Sequence, residues 1–215
     1  MDYKGKKNII ALAGFIFSYV SIIIVLLLLI KKGNIGLPFH GIRTPGDAWF
    51  SFLKLLPLFG IALSLMLWLA FAGLPVIEPF LWRRFSGVVF IGLGISLYYS
   101  VNTLFFKKSS LEGLPFWFPL IALCLLNAFS EEIIFRHVML GLLDNVFKIP
   151  LIANLIQSFF YALPHLMYGS YLFAFYAFGY GFLLGIIKKK NMDSIAPCIL
   201  CHFIIDFGAI GAPVL

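Results

Sequence analysis

FWFPLIALCLLNAFSEEIIFRHVM, residues 116–139, is the stretch whose reading decides the fold. It is long enough to cross a hydrocarbon core about 30 Å thick as a helix. Glu131, Glu132 and Arg136 nevertheless lie near its end. Ionisable groups are costly in hydrocarbon, so each needs a partner or a polar cavity and marks a functional site. Two other clusters inside apolar segments can supply partners: Tyr161 with His165, and His202 with Asp206.

Outward from that stretch the composition is of one kind. The chain has 215 residues, is 62% hydrophobic and has a mean hydropathy of +1.02. A water-soluble fold of this size cannot hide so much apolar surface, so the bilayer is the expected solvent. Apolar blocks predict spans near 9–30, 54–74, 86–106, 116–139, 150–167, 170–187 and 194–213. The fold class is therefore all-α: a polytopic bundle of about seven transmembrane helices (six to eight), read as a single transmembrane domain over 1–215 with a catalytic core over 116–206. The connection through Tyr168, Gly169 and Ser170 is the shortest. All spans must be helical, because unpaired backbone groups are not tolerated against lipid.

The basic N-terminus leads into the apolar run Ile9–Ile30, which ends in Lys31 and Lys32 without a small-residue cleavage site. This reads as a retained first span rather than a secretory leader. Orientation follows Lys and Arg in the loops. With the N-terminus inside, Lys4, Lys6, Lys7, Arg83, Arg84, Lys148 and Lys188 to Lys190 oppose Lys31, Lys32, Arg43, Lys54, Lys107 and Lys108, nine against six. The expectation is a cytoplasmic N-terminus in a prokaryotic cytoplasmic membrane. The polar stretch Gly33 to Ala48, with His40, Arg43 and Asp47, reads as a loop over one membrane face.

The formal charge of +7 sits mostly in short runs between apolar blocks. That pattern suits membrane lipids with anionic headgroups and argues against a nucleic-acid partner. Cys124, Cys198 and Cys201 all lie in apolar segments, and an odd number of such thiols gives no disulfide framework. Cys198 to His202 spells C-x-x-C-H, the haem attachment pattern, but an embedded apolar helix has no room for a haem. A Cys198–His202 nucleophile pair is geometrically possible and would leave the glutamates unexplained. Gly181 and Gly185 form a small-xxx-small pair that allows close helix packing.

In the fourth span Glu132 and Arg136 are four apart and can pair on one face. Glu131, rotated by about 100°, points elsewhere, and Asn127 four residues earlier can orient it. A carboxylate withdrawn from water is a stronger base, which suits taking a proton from water. The bland reading is an ion-paired helix contact without chemistry. In the fifth span Asn154, Ser158, Tyr161 and His165 form one polar stripe, and Pro164 is expected to kink the helix before His165. In the seventh span Asp206 can fix the ring of His202, leaving the other nitrogen for a ligand, a metal or an oxyanion. Pro197 lies near the start of that helix, where proline is tolerated.

Glu131-Glu132-x-x-x-Arg136, then Tyr161-x-x-x-His165, then His202-x-x-x-Asp206 resemble, in order and spacing, the three motifs of the CAAX protease and bacteriocin-processing (CPBP, or Abi) intramembrane proteases. That family includes the CAAX prenyl endopeptidases of the Ras-converting type. The resemblance covers about 127–206. Tyr161 departs from the family's usual phenylalanine but keeps the ring.

The resemblance implies an intramembrane endopeptidase acting on a peptide or membrane-protein substrate, in peptide or protein maturation or bacteriocin immunity. Glu131 and His165 would bind and activate the hydrolytic water. His202 and Asp206 would stabilise the oxyanion, with Glu132 and Arg136 in support. Family members have been described both as metalloproteases and as metal-free glutamate-dependent proteases. Two histidines and two carboxylates can ligate zinc, yet no H-E-x-x-H spacing points to it. Glu131 as base is the favoured reading, with zinc open. The competing functions are a non-catalytic membrane scaffold of the same fold and a proton-coupled transporter.

Overall fold

The structure is a computed structural model that describes residues 3–32, 42, 44–71, 80, 86–106, 114–168, 170–191 and 193–211. Its elements are helical throughout the described residues: α1 (Tyr3–Lys31), α2 (Pro45–Phe71), α3 (Gly87–Phe106), α4 (Leu114–Glu132), a π-helical stretch Ile133–Met139, α5 (Leu140–Phe147), α6 (Pro150–Ala162), a 3₁₀ stretch Leu163–Tyr168, α7 (Tyr171–Lys190) and α8 (Ala196–Gly211). Among the described residues four helices are long and apolar enough to cross a membrane: those containing Asn8–Val25, Gly46–Trp68, Trp117–Phe147 and Tyr171–Lys190. The all-α expectation holds, and most predicted spans lie within a few residues of an observed helix.

Two boundaries moved, each for a local reason. α2 begins at Pro45 rather than near 54. Thr44 and Asp47 form a reciprocal cap: the Asp47 N–H donates to Thr44 Oγ1 (3.1 Å) and the Thr44 N–H to Asp47 Oδ2 (2.9 Å). Pro45 stands at the first helical position, where its missing N–H costs nothing. Lys54, expected in a loop, therefore lies within α2, its Nζ 4.5 Å from the centre of the Phe50 ring. The fourth span continues as α5 to Phe147, burying Leu140, Leu142 and Leu143. It stops at Lys148, whose left-handed φ of 58° caps the helix with an N–H bond to Asp144 O. Ile149 is extended and Pro150 opens α6. Ser170 Oγ caps α7 by accepting the Phe173 N–H at 3.1 Å. His40, Arg43, Arg83, Arg84, Lys107, Lys108 and Gly169 lie outside the described residues.

Two compact units organise the chain. The first is drawn from 1–37 and 135–186. In it α5 packs on α1 and α6, and Tyr19 of α1 donates to Phe160 O at 2.8 Å. α7 is seated on α6 through Gly185. A Cβ there would run into the Asn154 side chain, whose Nδ2 donates to Phe182 O at 2.9 Å. The small-xxx-small pair thus does allow close approach.

The second unit, 38–134 and 187–215, pairs α2 with α4, α3 with α8 and α4 with α8. Its core gathers Ile42, Ala48, Leu55, Leu120, Leu123 and Cys124, with Trp117, Phe203 and Phe207 packed against it. Asn191, past the end of α7, accepts the Ser86 N–H at 3.1 Å and so fastens the start of α3. The α3–α8 contact is backbone-close. Ser100 Oγ donates to Ile204 O, and a Cβ on Gly208 would strike Ser100 Cα. Backbone cannot swing aside, so Gly208→Ala is expected to cost about 1–3 kcal/mol. Gly94→Ala, which meets open space, should be neutral or mildly stabilising. Thermal unfolding of the two variants in detergent reads the difference.

Candidate active site

α4 ends at the two glutamates, and α8 runs alongside it. His202, on the second turn of α8, projects its ring between them. His202 Nδ1 lies 2.7 Å from Glu132 Oε1, while Nε2 lies 3.7 Å from Glu131 Oε2 and 3.5 Å from Asp206 Oδ1. The short contact is that of a charge-assisted N–H donor on a carboxylate. Asn127 Nδ2, one helical turn before the glutamates, donates to Asp206 Oδ2 at 2.9 Å. Four of the six predicted site residues, Glu131, Glu132, His202 and Asp206, are thus brought together within the second unit, with Asn127 as a fifth member.

The two glutamates differ in access. The Glu132 side chain is 0% exposed and that of Glu131 is 19% exposed. Glu132 is committed to the imidazole, and Glu131 is the carboxylate that an incoming molecule can meet.

Two expected partnerships are revised. Asn127, expected to orient Glu131, gives its amide N–H to Asp206. Asp206, expected to fix the His202 tautomer, stands at the other ring nitrogen, and Glu132 makes the short contact at Nδ1. Beyond Glu132 the helix changes to π winding at Ile133. Bonds from residue i to i+5 alter which side chains share a face.

In the first unit the Arg136 guanidinium lies 4.2 Å from the centre of the Tyr161 ring. Its Nη2 approaches Gly181 O at 3.4 Å. Arg136 is fully buried, and a cation over an aromatic face is one way to hold such a charge.

His165 belongs to the first unit as well. The helix tightens to 3₁₀ winding at Leu163, where Pro164 was expected to disturb it. His165 Nδ1 is 3.1 Å from Tyr161 O, and its ring packs against Tyr161 (5.1 Å) and Phe173 (5.2 Å). The stripe above it is buried at Asn154, Ser158 and Tyr161, and also at Gln157. Gln157 was overlooked in the sequence, although its spacing of three from Asn154 puts it on the same face.

Cys198 and Cys201 are buried on one turn of α8 and form no disulfide among the described residues. Among the described residues no three His, Cys, Asp or Glu side chains are arranged to hold a metal ion. His202 turns both ring nitrogens toward carboxylates. A nitrogen donating N–H to a carboxylate has no lone pair for zinc, which removes Nδ1, while Nε2 stands 3.5 and 3.7 Å from its carboxylates without so short a contact.

The sequence profile described as Type II CAAX prenyl endopeptidase, Rce1-like, matches residues 113–208. No curated protein and no solved structure matches the chain. The matched stretch holds all three motifs, from Glu131 to Asp206, and with its apolar helices the protein is an integral membrane protein. Over that stretch the chain is similar to the Rce1-like family of CAAX-type proteases.

Proposed function

We propose that this protein hydrolyses a peptide bond at or within the bilayer, with Glu131 as general base and His202 as the oxyanion donor. The observation that carries the reading is the unequal use of two adjacent glutamates around one imidazole. Glu132 is buried and close to Nδ1, while Glu131 is accessible beside Nε2.

The chemistry follows from those positions. Glu132 holds the proton on Nδ1, so the ring presents Nε2 toward Glu131 and Asp206. Glu131 takes a proton from water as the water oxygen attacks the scissile carbonyl carbon. With carboxylates at both nitrogens His202 carries its second proton as imidazolium and donates Nε2–H to the oxyanion that forms, a preorganised donor aimed at developing charge. Asp206, held by Asn127, keeps the ring edge in place. When the C–N bond breaks, the proton on Glu131 passes to the leaving nitrogen, giving a carboxylic acid and an amine. His165 keeps the water-activating role that the motif implies. Its Nδ1–H, donated to Tyr161 O, makes Nε2 the basic nitrogen. Glu132 and Arg136 support: the first holds His202, the second backs Tyr161.

The family description makes a peptide with a prenylated C-terminal segment the first substrate to test, with the unprenylated peptide beside it. The physiological role we favour is maturation of a peptide or protein, bacteriocin immunity included. Membrane lipids would be its solvent and partners.

Glu131→Gln should lower turnover by about 10²–10⁴-fold, the usual contribution of a general base, with unchanged abundance in the membrane. Full activity in this variant would reject the assignment, and a phenotype that survives without cleavage would favour a scaffold. Cleavage should persist after dialysis against a strong chelator, read together with metal analysis of the purified protein. Loss on chelation and recovery with zinc would overturn the metal-free step. Glu132→Ala should behave differently from Glu131→Gln. It strips the buried imidazole of its partner, so unfolding stability should fall by about 3–5 kcal/mol.

A further inference from the structure

We infer that Gly181 is a positioning residue for His165, acting through the ring of Tyr161; this rests on the reading of His165 as a water-activating base. All the contacts involved lie within the first unit. Tyr161 grips His165 twice, by its backbone carbonyl at 3.1 Å from Nδ1 and by its ring, 5.1 Å away and tilted by 51°. The first contact sets which nitrogen carries the proton, and the second sets where the ring points.

The Tyr161 ring is itself confined. Phe135 meets it edge-on at 5.2 Å and 86°, and the Arg136 guanidinium covers it at 4.2 Å. Gly181 of α7 closes another side. A Cβ at 181 would stand 2.7 Å from Tyr161 Cδ1, 3.4 Å from Cγ and 3.5 Å from Arg136 Nη2. Cδ1 and Cγ are at the root of a rigid ring, so the ring must move as a body and cannot simply rotate its tip away. Arg136 Nη2 also approaches the Gly181 carbonyl, so the guanidinium and the ring are both referenced to the same residue of α7. A methyl group at 181 therefore displaces the surface against which His165 is packed.

A displacement near 1 Å at a reacting group costs on the order of 100-fold in rate. Gly179, two residues earlier on the same helix, has open space at its Cβ position and serves as the control. The variants Gly181→Ala and Gly179→Ala are made in the wild type and in a His165→Ala background, in the full-length protein. Peptide cleavage is followed over long incubations, and rates are referred to folded protein.

Gly181→Ala is expected to lower kcat by roughly 10–100-fold with little change in KM, and to add nothing once His165 is gone. Gly179→Ala should leave kcat unchanged in both backgrounds. Non-additivity of this kind marks two residues acting through one group.

The same proportional loss in both backgrounds, or a lowered melting temperature with wild-type kcat, would make Gly181 a packing residue and overturn the inference. Should Gly181→Ala fail to fold, Tyr161→Leu removes the intermediary ring and must show the same dependence on His165; an additive loss there overturns it equally. A wild-type rate in His165→Ala alone would refute the base reading and this inference with it. Loss of activity in His165→Ala with an unaffected Gly181→Ala would refute this inference and leave the base reading standing.

Discussion

A carboxylate removed from water costs several kcal/mol unless a hydrogen-bonding partner meets it. Glu132, wholly buried at the end of α4, meets that demand through His202 Nδ1 at 2.7 Å. Much of the second unit's polar arrangement is conditioned by that contact. Because one ring nitrogen faces Glu132, the other is left to face Glu131 and Asp206. Asp206, turned inward on the same helix, draws Asn127 from α4. The pairing of α4 with α8 is therefore polar at its centre and apolar around it, with Trp117 stacked on Phe207 at 5.4 Å. Such a site has one geometry, since any slip of α8 breaks several polar contacts at once.

What holds α8 in that register is small. Gly208 lets the backbone of α3 approach at Ser100, and Gly92 lets α3 approach Ile187 and Cys201. In lipid there is little hydrophobic force between helices, so close packing and interhelical hydrogen bonds supply the association. The first unit uses the same device on α7, where Gly185 receives Asn154 and Gly181 receives Tyr161. Glycines at helix contacts thus set the placement of the chemical side chains in each unit. A larger residue would move rigid groups of the candidate site along with it.

The helical class was legible because apolar blocks of bilayer length leave no other backbone solution. The six candidate site residues stood out for the same reason: each is costly where it lies. Their partnerships were less readable. Sequence spacing finds neighbours on one helix, and so it paired Asn127 with Glu131. The contacts to His202 and Asp206 cross from α4 to α8 over 70 and 79 residues, which no spacing rule reports. The π-helical winding at Ile133–Met139 also has no residue signature of the kind that proline gives at 164. Two details were readable and went unread. Thr44-Pro45-Gly46-Asp47 spells a helix start, and Gln157 completes the polar stripe of α6.

The doubled glutamate has a geometric rationale. Neighbouring residues of an α-helix diverge by about 100°, so two adjacent carboxylates cannot approach one atom from the same direction. They can share an imidazole, because its two nitrogens lie on different edges of the ring. Glu132 takes Nδ1 and Glu131 flanks Nε2, so the divergence of the helix is matched by the divergence of the ring. On the proposed reading the division of labour follows from burial. The residue that serves the imidazole must be kept from water to make its contact strong, and the residue that takes a proton from water must be reachable by it. A lone glutamate would have to satisfy both conditions with one carboxylate. Two adjacent ones, rotated by the helix itself, satisfy them separately while addressing the same ring.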